Sequence, residues 1–312
     1  MTSDTSVTAG PDAQPAIAVI GEALVDIVAG VAHPGGSPMN VAVGLARLGE
    51  PTVLHTVIGA DEHGDLIRAH LVAAGVALGP DSVGDSRTWS ARATLDDAGS
   101  ATYDFDLDGR IPVPALHGLR LVHTGSIGAL RDGEATAVRA AYVAADSDTM
   151  LSFDPNIRAA VMGEGARERT FALAASCHVV KLSDEDAEWL RPDTPLEDVL
   201  AEFAAAGVRF VVITRGADGC IALVDGVVHH RAARATTVAD TIGAGDAFMS
   251  GLLFGLLRDG TDRALVTGAP ITSNAVIGAL DSALASAAVT VSRTGANPPT
   301  AAELTAALAA ES

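Results

Sequence analysis

Asp246 stands directly behind Gly243-Ala244-Gly245, and this pairing of a carboxylate with a run of very small residues is the part of the chain best suited to chemistry. Side chains this small cannot shield the backbone, so the N–H groups of the run can face a ligand. Polar turn residues, Asp240 and Thr241, precede it, and an apolar stretch from Ala247 to Leu257 follows with the length of a buried helix. Unpaired amides and the positive end of the helix dipole converge at such a turn, which makes it an anion site. A carboxylate placed there can take the proton of a hydroxyl that attacks a bound phosphate. On local grounds alone, a strand-to-helix turn with an acidic residue near the helix start reads equally well, because short Gly-rich motifs are common.

Among the elements that would position this turn, the first is the apolar run Ile17 to Gly21, suited to a central parallel strand and followed by Glu22 and Asp26. Gly35-Gly36 then lead through Ser37 and Pro38 into a helical stretch over 41–49, with Asn40 on its first turn, where its amide can serve a polyol. A second strand is expected over 53–59 and a helix over about 66–74. The period then changes to two in Trp89 to Leu95 and again in Tyr103 to Asp108, around a turn at 96–100, which predicts a hairpin whose apolar face covers something. From Arg120 onwards strand and helix patterns alternate, ending in helical stretches at about 262–267 and 273–291 and a short one after Pro299. The expected fold class is α/β, with a mainly parallel central sheet, helices on both faces and a small β lid drawn from about 24–33 and 87–112. Residues 1–16 are expected to be a loose tail and 17–312 one domain.

Four polar clusters fall just after expected strands: Glu22 to Asp26, Asp154 to Arg158, Lys181 to Asp186, and Thr214 to Gly219. Ligands bind at that edge in open α/β sheets. Each cluster alone reads as a loop or cap, and Ser183 with Asp186 has the form of a capping box.

Composition excludes several classes. A formal charge of -19 opposes nucleic-acid and anionic-membrane partners, which need a basic footprint. Lys181 is the sole lysine, so no Walker A loop can be written. Cys177 and Cys220 have neither disulfide-framework nor zinc spacing, and a reducing cytoplasm is the expected compartment. The first sixteen residues lack the pattern of a signal peptide. No uncharged run reaches the ~20 residues of a bilayer span. The histidines show no metal-ligand spacing, and the strand at Ile17 to Gly21 lacks the G-x-G-x-x-G of a nicotinamide enzyme.

Taken together, GGSPMNVAVGLARLG (35–49), IGADEHG (58–64), DPNIR (154–158), KLSDED (181–186), TRGADG (214–219), DTIGAGDAF (240–248) and RTGANPPT (293–300) resemble the PfkB-type carbohydrate kinases of the ribokinase superfamily, and most of all their fructokinase branch. The resemblance implies a ribokinase-like fold and in-line transfer of a phosphoryl group from ATP to a sugar hydroxyl. By matching position it implies Asp246 as general base and Gly243, Ala244, Gly245 and the Asp246 amide as an anion hole. Asp26, Gly35, Gly36 and Asn40 would hold the sugar; Arg158, a fork of donors, suits a substrate oxygen or a phosphate and equally a structural pair with a nearby acid. Lys181, Ser183, Thr214, Gly216, Gly219 and Asn274 would serve the nucleotide, the stretch from Asn274 to Ser292 walling the adenine. Asp186 would reach Mg2+ through water, in a motif that departs from K-x-N-x-x-E at Ser183 and Asp186, and Asp240 would help to hold a monovalent cation such as K+. The hairpin itself reads as a lid over the sugar, with a homodimer contact as a further option, or alternatively as a plain edge hairpin packed on the core.

Fructose is the first expected acceptor, with 2-keto-3-deoxygluconate, ribose or a nucleoside as alternatives, because fold does not choose among them. A catalytically inactive sugar sensor is the reading from a different class, and the intact Asp246 and anion turn weigh against it.

Overall fold

The first strand is buried throughout and shows how the architecture arises: Ile17 and Val19 enter one core cluster, Ala18 and Ile20 another, so this strand is covered on both faces. The computed structural model describes residues 17–95 and 101–310, so the expected tail and hairpin tip lie outside the described residues. A nine-stranded sheet runs in space from Val227–Arg231 through Cys220–Val224, Phe210–Thr214, Val179–Ser183, Met150–Asp154, Leu121–Gly125, Ile17–Ile20 and Thr52–His55 to Ala77–Leu78. All pairings from Phe210–Thr214 onward in that order are parallel, and only the two strands at the other edge are antiparallel. The carboxyl ends of the parallel strands therefore share one edge, where all four polar clusters lie.

One face is covered by the helices Ser37–Arg47, Ala244–Arg258 and Ser273–Val291, the other by Glu134–Val143, Ala166–Ala174 and Leu196–Ala205. Among the described residues one helix, Ser273–Val291, has the length and hydropathy (1.4) of a membrane span, but half of that window is buried and the helix packs along Ala244–Arg258.

A second sheet of four strands, in the order Val31–Gly35, Leu24–Val28, Trp89–Leu95 and Ala101–Asp106, carries the expected hairpin. Its attachment is specific. Asp61 caps the helix Glu62–Ala74 through the Gly64 amide and also accepts from the Thr88 amide (2.9 Å) and hydroxyl (2.6 Å), pinning the start of the hairpin. Trp89 is fully buried and donates its indole N–H to the Asp108 carbonyl. It is therefore core, not an exposed platform for a sugar ring, whereas the Tyr103 side chain lies outside what is described. Several elements differ from the sequence pattern at their starts. The first helix begins at Ser37 because Pro38 is tolerated in a first turn, and the second begins at Glu62 because Asp61 caps it.

Candidate active site

The helix Ala244–Arg258 opens on Gly243, which adopts the left-handed conformation (φ 74°) and packs so closely that a methyl group there would lie 2.6 Å from the Ala296 side chain. The sequence thus requires glycine at this cap. In the turn, the Ala244 amide donates to the Thr241 carbonyl (3.2 Å) and the Ala247 amide to the Gly243 carbonyl (2.8 Å). Between them, the Gly245 and Asp246 amides donate to no acceptor among the described residues and supply the anion-facing end of the helix. Ala244, expected in the same ring of donors, is instead committed to the turn.

Asp246 is held from a distant segment. Ser37 donates its hydroxyl to Asp246 Oδ1 (2.6 Å) and Asn40 donates its amide to Oδ2 (2.8 Å). Both donors sit on the first turn of the helix Ser37–Arg47, so one element fixes both carboxylate oxygens. That helix is placed by Gly36 (φ 110°), where a methyl group would lie 2.6 Å from the Glu22 carbonyl oxygen. A methyl group on Gly35 would lie closer still to an Asp26 carboxylate oxygen. The two glycines thus serve close approach between protein segments, where the sequence suggested approach to a ligand.

The acceptor side gathers unusual charge. Glu22 is 1 % exposed, and burial pushes its carboxyl up to about 7 against the Gly128 amide (2.8 Å), the Ser126 hydroxyl and the Arg158 guanidinium, all of which favour the charged form. Burial also raises Asp26, opposed by Arg158 and His33. Arg158 is exposed, donates to the neighbouring Ile157 carbonyl (3.0 Å) and stands near enough to act on both acids. Asp26, Gly35, Gly36, Asn40, Arg158 and Asp246 are therefore brought together.

Beneath the anion turn lies a buried pair. Lys181 Nζ is 2.9 Å from Asp154 Oδ2, with 4 % and 0 % of the two side chains exposed, and a methyl group on Gly245 would sit 3.0 Å from that nitrogen. Burial pulls the ammonium down, but the summed attraction of Asp154, Asp186 and Asp246 outweighs it and its pKa ends up raised. Burial pushes Asp154 up to about 6 despite Lys181. The expectation that Lys181 meets the nucleotide thus becomes a placement below the phosphate turn, where its charge acts through Gly245.

The nucleotide side is sparser. Thr214 is half-buried and leans its hydroxyl toward the Leu182 carbonyl at 3.5 Å, and exposed Gly216 opens a short turn closed by Gly219, which packs against the Arg231 carbonyl. Ser183 and Asp186 form a complete capping box: the Asp186 amide donates to Ser183 Oγ (3.0 Å) and the Ser183 amide to Asp186 Oδ2 (2.9 Å). Asp186 Oδ1 also accepts from the Ile157 amide (2.8 Å). Asp240 is similarly engaged, accepting from Ile242 (3.0 Å) and Gly295 (2.9 Å), and these amides hold its pKa down.

Asn274 is not gathered with the others. The chain just before its helix is fastened by the Ile271 amide to Asp225 (3.0 Å), in the turn between the two antiparallel strands at the sheet edge remote from the cleft. The opposite end of the helix meets the site, since Ala239 and Asp240 donate to the Val291 carbonyl. With a rise of about 1.5 Å per residue, Asn274 lies roughly 25 Å along the helix from that end, which corrects its assignment to the nucleotide. Sequence reasoning missed Ser37 as a partner of Asp246 and Asp154 as the partner of Lys181. Ser37 lay within a quoted motif, but beside Pro38 it read as part of a helix start.

The pfkB family carbohydrate kinase pattern matches residues 16–303. The chain belongs to that family. It is a carbohydrate kinase, with the ribokinase-like fold. It is 30% identical over 259 residues to a fructokinase from Escherichia coli, spanning 78% of this chain and 84% of that protein. A Vibrio cholerae O395 fructokinase double mutant, solved with fructose, ADP and a potassium ion, superposes with a TM-score of 0.79 at 25% identity, covering 95% of this chain and 99% of that one. A Xylella fastidiosa fructokinase with bound ATP gives a TM-score of 0.82 at 22% identity over 96% and 99% of the two chains, which speaks to fold alone.

Proposed function

We propose that this carbohydrate kinase phosphorylates fructose, with ATP as donor and Asp246 as general base. The observation that carries the reading is the joint placement of the Asp246 carboxylate and the unpaired Gly245 and Asp246 amides on one helix turn. A hydroxyl bound against Asp26, Asn40 and Arg158 gives its proton to Asp246 as its oxygen bonds to the γ-phosphorus, and ADP leaves. The Gly245 and Asp246 amides and the helix dipole stabilise charge on the transferring group, and buried Lys181 adds positive potential from below. Fructose as acceptor is supported by the likeness to fructokinases.

Among the described residues no group of three or more His, Cys, Asp or Glu is arranged to hold a metal. Toward Mg2+ held by the nucleotide phosphates, Asp186 would act through water, from the lone pairs its two amide partners leave. Such an ion neutralises charge on the β- and γ-phosphates. Asp240 has the same restricted capacity toward a monovalent cation. The four-stranded sheet is assigned as a lid over the sugar and as the contact with a second copy of this chain, supported by exposed Val28 and Val31 at its turn. Purified protein with Mg-ATP and a panel of free sugars and nucleosides tests the whole reading. ADP release is expected to be fastest with fructose, and preference for ribose, a nucleoside or 2-keto-3-deoxygluconate would replace that acceptor. Sugar binding without turnover would favour the sensor.

A further inference from the structure

Asp186 uses its two carboxylate oxygens in two different places. Oδ2 accepts from the Ser183 amide (2.9 Å) and completes the capping box, whereas Oδ1 accepts from the Ile157 amide (2.8 Å), 29 residues back in the chain. A capping box needs only the first of these bonds. The side chain is 7 % exposed, so both are sheltered from water. The second bond ends on a loop whose backbone is costly to hold, because Asn156, just before it, takes a positive φ of 34°. Ile157 then accepts through its carbonyl from Arg158 Nη1 (3.0 Å), the one hydrogen bond of that guanidinium among the described residues. Residue 157 thus sets where the Arg158 side chain starts and also offers the oxygen that steadies its tip.

We infer that Asp186 is a positioning residue for the acceptor: by holding Ile157 it aims Arg158 at the sugar, although its place in the sequence lies among residues assigned to the nucleotide. The inference rests on the reading of Arg158 as part of the acceptor wall. A bond from an amide to a carboxylate is charge-assisted, which suits it to hold a strained loop in place. Asp is one methylene shorter than the Glu of the K-x-N-x-x-E pattern, so its oxygens stay near the backbone, where the two amides fix them. The aim of Arg158 matters because Glu22 and Asp26 both attract it. A guanidinium left to close on either acid would turn N–H groups away from the sugar. Asp186 therefore joins the two walls of the cleft through a single loop residue.

The test compares wild type, Asp186→Asn, Asp186→Glu, Arg158→Ala and the Asp186→Asn/Arg158→Ala double variant. It measures KM for fructose at saturating Mg-ATP, the Mg2+ concentration giving half-maximal rate, and the melting temperature. Asp186→Asn leaves one acceptor oxygen and no charge for two amides. It is expected to raise the fructose KM about ten-fold while the Mg2+ requirement changes by less than about two-fold. Glu keeps a capping box but carries its carboxylate one methylene farther. Asp186→Glu should therefore shift the fructose KM the same way by less, and it stands in if Asp186→Asn does not fold. Because the effect passes through Arg158, the double variant should match Arg158→Ala. An unchanged fructose KM in Asp186→Asn, or in its stand-in, overturns the inference, as do additive effects in the double variant or a change confined to the Mg2+ requirement. Wild type that leaves fructose unphosphorylated, or Arg158→Ala with an unchanged KM, overturns instead the acceptor reading on which the inference rests.

Discussion

The two walls of the cleft are built differently. On the acceptor side, side chains from segments about 200 residues apart meet at hydrogen-bond distance, as Ser37 and Asn40 do on Asp246. Glycines there let protein approach protein, and two acids are held in burial that raises their pKa values. On the nucleotide side, the turn at Gly216–Asp218 offers mainly backbone, and the acids Asp186 and Asp240 are consumed by amides. In the proposed reading, selection of the acceptor would rest on identities of side chains, whereas the nucleotide would meet a surface that many sequences can make. Single substitutions should accordingly cost more on the first wall than on the second.

The largest effect is expected from Asp246→Asn, which should lower turnover by at least ~100-fold with sugar and ATP affinities largely kept, the usual size of a general-base loss. Initial rates and calorimetric binding check this, and a loss of binding in place of turnover would make Asp246 a substrate clamp.

Glu22→Gln comes next and reads stability against pH. Because the folded-state pKa of Glu22 is raised to about 7 from 4.5, the folded protein binds this proton more tightly than the unfolded chain does. Its stability contribution is full below about 4.5 and is lost as pH rises through about 7, a change of about 3 kcal/mol for a shift of this size. Gln keeps an oxygen for the Gly128 amide and cannot ionise. Melting curves at pH 5 and pH 8 should therefore show a smaller fall for the variant than for wild type, and equal falls would remove Glu22 as the source.

The smallest effect belongs to Asn274→Ala. Placed at the far end of its helix, it should change KM for ATP by less than about two-fold. A large rise would return Asn274 to the nucleotide wall and blur the contrast between the two sides.

Much of this arrangement was legible in the sequence because it depends on short-range pattern. Apolar runs marked the parallel strands, period-two alternation marked the hairpin, and polar residues just past strand ends marked the cleft. The contacts that define the acceptor wall were not, because Ser37 and Asp246 are 209 residues apart and nothing local distinguishes a serine that donates across the fold from one that starts a helix. Val227–Arg231 escaped because an exposed, polar edge strand carries little hydrophobic signal. Asn274 was misplaced for a different reason: a motif locates a helix, but not which end of 19 residues reaches the site. Ser183 and Asp186 show the reverse, since their capping-box spacing was visible and the structure contains that box.

The buried Lys181–Asp154 pair has a consequence for the chain's covalent chemistry. Since Lys181 is the sole lysine and its side chain is 4 % exposed, the positive side chains at the surface are guanidinium and imidazole groups, none of them a lysine amine. Amine-reactive acylation of a side chain in this protein must wait for the sheet to open beneath the phosphate turn. The reaction of that single nitrogen thus keeps time with the opening of the fold around Asp154 and Gly245.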